Sequence, residues 1–117
     1  MTPSATKGRV VTRRNKFGAK ATMIDGIRFA SQREGQRYAT LKLLIKSGDY
    51  RDLRLQPRYP LMVEATKVAD YVADFEYVDC QTGETITEDV KGVETDVFKL
   101  KRRHFEAQYG RKIRITK

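Results

Sequence analysis

The sequence predicts a mixed α/β fold with helices on a central sheet, built as one domain. Three observations carry this expectation. Two helical stretches with stop signals, beginning at Ser31 and near Thr95, bracket a block of strand-like alternation. A tight turn at "TGE", residues 82–84, makes two strands of that block an antiparallel pair. A last alternating stretch, "KIRIT", follows the second helix. With 117 residues the chain can build one hydrophobic core but not two.

Each element has its own local reason. Residues 1–18 read as a flexible basic arm, and residues 19–117 as the folded domain. In "ATMIDGIRFA", Asp25-Gly26 between short apolar runs signals a hairpin. Ser31 followed by Glu34 forms a capping-box pattern, and the helix it opens runs to Gly48. Tyr38, Leu41 and Ile45 recur at helical spacing, and Glu34 lies one step back along that stripe. "DLRLQPRYPLMVEA" reads as an extended segment broken by Pro57 and Pro60, then a strand through 58–64. In "DYVADFEYVD", Tyr71, Ala73, Phe75 and Tyr77 alternate with Val72, Asp74, Glu76 and Val78, which predicts a strand with one aromatic face. "TITEDVK" is its antiparallel partner. Thr95 or Asp96 caps a second helix running to about Tyr109 and ending at Gly110.

Composition narrows the function. Hydrophobic content is 39%, and no apolar run approaches the length of a membrane span. The N-terminus lacks the apolar segment of a signal peptide. Cys80 is the only cysteine and His104 the only histidine, which leaves no internal disulfide and no Cys/His zinc site. A reduced, cytoplasmic protein is expected.

The formal charge of +9 is unevenly spread. Residues 1–20 carry six Lys/Arg and no acid, and residues 99–117 carry eight with only Glu106 against them. The stretch between has ten basic and fourteen acidic residues. Basic ends around an acidic centre suit a polyanion held at its flanks while carboxylates act between. Nucleic acid is the expected partner, although a solvated tail would show the same pattern.

The acidic centre supplies the candidate chemistry. In an extended "ITEDVKG", Asp89 and Lys91 share a face and Gly92 lets the chain turn away. With the turn near residues 81–83, Asp74 falls opposite the neighbourhood of Asp89. Glu34 comes from the first turn of a helix whose apolar stripe would rest on the sheet. One helical and two strand carboxylates beside a lysine make a plausible oxygen cage for Mg²⁺. Such an ion polarises a phosphodiester and makes hydroxide available near neutral pH. Lys91 could orient the attacking water or steady charge on the phosphate.

Plainer explanations exist for each residue. Glu34 could simply close its capping box, Asp89 and Lys91 could form a surface ion pair, and Glu76 or Glu88 could be the ligand instead. Among 15 acids and 11 lysines, roughly one acid-x-Lys triplet arises by chance. The ordered combination is what carries weight.

That combination, Glu34 in "SQREGQRY", Asp74 in "YVADF" and Asp89-Val90-Lys91 in "EDVKG", resembles the PD-(D/E)XK nuclease superfamily. Ala73 stands where the family name has proline. The resemblance covers residues 22–117 and implies a restriction-endonuclease-like αβββαβ core, a mixed central sheet flanked by helices. "QP", "Y-x-A-D-F", "EDVKG" and "D-x-F-x-x-K" look like small phage-encoded endonucleases related to Holliday-junction resolvases. The resemblance implies that Asp74, Asp89 and the Val90 carbonyl bind Mg²⁺, with Mn²⁺ able to substitute. Glu34 would bind the metal or a water on it, and Lys91 would position the attacking water.

The function this implies is a structure-selective DNA endonuclease, a junction resolvase leaving 5′-phosphate and 3′-hydroxyl ends. It would act in DNA recombination as a homodimer on branched DNA, in the host cytoplasm if phage-encoded. The arm and the hairpin "TMIDGIRF" offer an interface. Lys7, Arg9, Arg13, Arg14 and Lys16 of the arm, with Lys99, Arg102 and Arg103 of the second helix, are the candidate DNA contacts. The competing functions are a nicking or double-strand endonuclease in phage DNA processing, and an inactive DNA-binding adaptor on the same fold.

Overall fold

A computed structural model describes residues 21–117, so the expected arm over residues 1–18 lies outside the described residues. The elements are β1 (Thr22–Ile24), β2 (Ile27–Phe29), α1 (Gln32–Lys46), β3 (Tyr50–Leu55), β4 (Arg58–Val63), β5 (Thr66–Val72), β6 (Phe75–Asp79), β7 (Thr85–Val90), α2 (Asp96–Tyr109) and β8 (Ile113–Thr116). The chain divides after Leu41 into two compact units.

In the first unit, β1 and β2 form the expected hairpin, with Thr22 opposite Phe29 and Ile24 opposite Ile27. Asp25 and Gly26 both take positive φ, 54° and 76°, as a two-residue turn of primed type requires. Ser31 caps α1 by accepting the Glu34 N–H at 3.1 Å. Gly35 permits the hairpin's close approach: a Cβ there would stand 2.6 Å from Thr22 Cγ2 and 3.0 Å from Ile24 Cδ1. The Tyr38 hydroxyl donates to Asp25 Oδ2 at 3.1 Å, and its ring lies 5.0 Å from that of Phe29.

The second unit is built on a four-stranded sheet of order β3-β6-β7-β8. The β3–β6 and β6–β7 pairs are antiparallel and β7–β8 is parallel. A parallel neighbour needs a crossover, and α2 supplies it. Thr95 caps α2, its Oγ1 accepting the Phe98 N–H at 3.1 Å, and Gly110 closes it at φ 73°. Both caps fall where the sequence puts them.

The strands differ from expectation in two places. The extended segment expected to begin at Asp52 falls instead within a full strand, Tyr50–Leu55, at one end of the four-stranded order. The expected single strand across Ala73-Asp74 is two, β5 and β6, in different sheets. β4 and β5 form a separate hairpin, with Tyr59 opposite Tyr71. It is the continuation of the β3–β6 ribbon. The Gln56 N–H donates to the Asp74 carbonyl at 3.0 Å, and the Ala73 N–H donates to the Pro57 carbonyl at 3.1 Å. Both strands therefore leave the sheet together at one paired corner, where Gln56 has φ 50°. Pro60 sits comfortably in β4, which among the described residues pairs only with β5; its carbonyl accepts from Gln108 Nε2 and the Tyr109 hydroxyl on α2.

That corner folds the hairpin onto α2. The core joins Tyr59, Leu61, Tyr71 and Ala73 to Phe98 and Phe105 of α2 and Ile113 of β8. Phe105 packs its ring 4.9 Å from Tyr59 and 5.4 Å from Tyr71. Burying these large side chains stabilises the fold by roughly 1.5–3 kcal/mol each. Among the described residues, no helix is long and apolar enough to cross a membrane.

Candidate active site

The four residues Thr87, Glu88, Asp89 and Val90 are all buried, with Asp89 only 1% exposed. A surface ion pair therefore cannot account for the acids of "ITEDVKG". Strand pairing explains the arrangement. Phe75 lies opposite Glu88 and Glu76 opposite Thr87, so the next step brings Asp74 to Asp89.

Asp74 sits half-buried at the ribbon corner and is braced on three sides. Its N–H donates to the Glu88 carbonyl at 3.1 Å, its carbonyl accepts from Gln56, and its Oδ2 accepts the Val90 N–H at 2.7 Å. Beside it, Asp89 Oδ2 accepts from the buried Tyr71 hydroxyl, and Oδ1 lies 3.8 Å from Lys91 Nζ. Lys91 is itself held over the Phe98 ring, 4.6 Å from its centroid.

Two adjoining carboxylates, one of them fully buried, cannot both ionise cheaply. Burial, then the charge of Asp74, pushes the Asp89 carboxyl up to about 7. The Tyr71 hydroxyl and Lys91 pull it down, and a hydrogen bond with Asp74 raises it further. The Tyr71 hydroxyl is pushed far above its ordinary value by burial and by the adjacent acids, so it remains a donor.

Among the described residues, no group of three or more His, Cys, Asp or Glu side chains is placed to hold a metal ion. The donor set is smaller: two adjoining carboxylates, with the Val90 carbonyl as the third oxygen that the resemblance implies. Mg²⁺ fits such a set, because it keeps several waters and takes one or two protein carboxylates plus substrate phosphate. The mutual repulsion of Asp74 and Asp89 is what a divalent cation would relieve.

Glu34 lies in the first unit, in the opening turn of α1, whereas Asp74, Asp89 and Lys91 come together in the second. Glu76 holds the Tyr59 hydroxyl and pairs with Arg54 at 3.2 Å and Arg111 at 3.9 Å. Glu88 faces the opposite side of β7 from Asp89 and accepts from the Tyr77 hydroxyl, which also accepts from Arg114 at 3.1 Å. On α2, Lys99 and Arg103 are exposed. Arg102 departs from the expected open face: it is half-buried, 3.3 Å from Glu94 and 5.8 Å from the Phe98 centroid. Lys7, Arg9, Arg13, Arg14 and Lys16 lie outside the described residues. His104 is tied to the Met62 carbonyl at 2.8 Å, a packing role.

Sequence reasoning passed over Tyr71 and Phe98 as parts of the site. Tyr71 reads as one member of an aromatic strand face, and nothing local marks its hydroxyl as aimed at an acid eighteen residues on. Phe98 belongs to the "D-x-F-x-x-K" pattern, but only the fold brings Lys91 over its ring.

Among the described residues, fold and site together define a mixed α/β protein with two helices, a four-stranded mixed sheet and a close pair of acids beside a lysine. The chain belongs to the family described as "Protein of unknown function (DUF1064)", whose model matches residues 14–117. No curated protein and no solved structure matches it.

Proposed function

We propose that this protein is a Mg²⁺-dependent DNA endonuclease that hydrolyses phosphodiesters in branched DNA, with a core of restriction-endonuclease type. The observation that carries the reading is the pairing of Asp74 with the buried Asp89, whose Oδ1 lies 3.8 Å from Lys91 Nζ. The order α1, β3, β6, β7, α2, β8, with β4–β5 as an extension of one ribbon, supports it. That order matches the αβββαβ arrangement implied by the PD-(D/E)XK resemblance.

Asp74 and Asp89 would hold the cation, which supplies electrophilic stabilisation of charge on the phosphoryl group. Asp74 is fixed by backbone contacts from Gln56, Glu88 and Val90, so little ordering remains for a substrate complex to induce. Lys91, held over Phe98, keeps a cation at the edge of the acidic pair, where it can orient a water by hydrogen bonding and oppose charge on the phosphate. Exposed Lys99 and Arg103 would engage neighbouring phosphates.

The test is cleavage of a synthetic four-way junction, a fork and a linear duplex at equal concentration, with Mg²⁺ and with chelator. Chelator-sensitive cutting that favours the junction is expected. Equal rates on junction and linear duplex would replace the branched substrate with a general nicking activity. Binding without cutting in any divalent metal would leave a DNA-binding adaptor.

A further inference from the structure

The β4–β5 hairpin reaches the sheet through two tyrosines. Tyr59 and Tyr71 are opposite one another in the hairpin, with rings stacked 6.1 Å apart at 18°. Each hydroxyl ends on a different acid: Tyr59 on Glu76, Tyr71 on Asp89. The tyrosines thus offer two similar contacts, of which only one touches the proposed metal pair.

From this geometry we infer that Tyr71 is a positioning residue, selecting which oxygen of Asp89 is presented to a divalent cation. The inference rests on the endonuclease reading above. A carboxylate's final torsion is broad and nearly two-fold, so packing alone does not distinguish its two oxygens. Here Oδ2 is engaged by the Tyr71 hydroxyl, while Oδ1 lies on the Lys91 side. Phe105 and Phe98 pack against the Tyr71 ring, at 5.4 and 6.3 Å, and fix the hydroxyl's own direction. Donors behind a ligand carboxylate orient it, and their loss costs about ten- to a hundredfold in metal affinity.

The experiment is calorimetric titration of the whole chain with Mn²⁺, comparing wild type, Tyr71→Phe and Tyr59→Phe. Both variants delete one buried hydroxyl from the same hairpin, so a merely structural role would affect them alike. Expected is an affinity about ten- to a hundredfold weaker in Tyr71→Phe, with Tyr59→Phe within twofold of wild type. Equal Mn²⁺ affinity in wild type and Tyr71→Phe overturns the positioning role and leaves the endonuclease reading standing. No saturable Mn²⁺ binding by the wild type overturns both. Should Tyr71→Phe fail to fold, p-aminophenylalanine at position 71 keeps the shape with a weaker donor. Its affinity is expected to fall severalfold, and an unchanged value overturns the inference equally.

Discussion

At the scale of single residues, the proposed activity stands or falls on the acidic pair. Asp74→Asn and Asp89→Asn each remove a charge from the proposed metal pair while nearly preserving volume. Each is expected to abolish Mg²⁺-dependent cleavage, on the order of a hundredfold or more, with unchanged circular dichroism. Near-wild-type cutting by both across a Mg²⁺ titration would remove the pair from the chemistry. Lys91→Ala should still bind metal and DNA but turn over far more slowly. Asp89 also sets a pH dependence in the metal-free protein. Its folded pKa is raised to about 7, so its favourable contribution is complete below the ordinary carboxylate range and lost as pH climbs through 7. Urea unfolding without metal should therefore show this contribution falling between about pH 4 and 7, by an amount on the order of a few kcal/mol, and levelling off above. Asp89→Asn should flatten that fall, and a slope unchanged by Asn would assign it elsewhere. The closeness of Asp74 and Asp89 was legible because turn position and strand parity fix it. The burial of Asp89 was not: an acid beside a lysine on a +9 chain reads as surface until the covering hairpin is known.

At the scale of elements, local signals were readable and non-local ones were not. The caps Ser31 and Thr95, the Asp25-Gly26 turn and the stop at Gly110 all depend on near neighbours in the chain. The corner depends instead on hydrogen bonds joining Gln56 to Asp74 and Pro57 to Ala73, residues far apart in sequence. Period-two burial of Tyr71, Ala73, Phe75 and Tyr77 runs straight through it and conceals the change of sheet. Gly35 was equally silent, because its small size answers a hairpin lying against the helix. Gly35→Ala gains roughly 1 kcal/mol of helix propensity. It also drives a methyl to 2.6 Å from the stiff, branched Thr22. A net loss of about 1–2 kcal/mol is expected, largely recovered by adding Thr22→Ser, which deletes the crowded methyl. Thermal unfolding of the two single variants and the double variant measures this coupling directly.

At the scale of the whole molecule, the basic ends and the acidic centre make different predictions. Deleting residues 1–18 removes Lys7, Arg9, Arg13, Arg14 and Lys16 and leaves the second unit intact. If the arm meets phosphates, the plot of log affinity against log salt becomes shallower by up to about 0.9 for each phosphate no longer neutralised. Fluorescence anisotropy at several salt concentrations reads this slope, and no change would leave Lys99 and Arg103 as the residues that meet DNA. Resolving a four-way junction needs two symmetric incisions, which a two-fold dimer supplies by geometry. Light scattering at micromolar concentration should therefore report twice the 13.5 kDa chain mass. A monomer would restrict the proposed activity to single nicks.

The pairing of Phe75 with Glu88 has one further consequence. Glu88 and Asp89 are adjacent acids on opposite sides of β7, each met by a tyrosine hydroxyl from its own side. A slip of one residue between β6 and β7 would turn each acid to the opposite side and set Asp74 against Glu88 or Val90 instead of Asp89. The turn at Cys80–Gly83, closed by the Gly83 N–H on the Asp79 carbonyl at 2.7 Å, thus acts as the sheet's reading frame. A single inserted residue there could leave a well-folded sheet whose acids are all present and whose chemistry is out of phase.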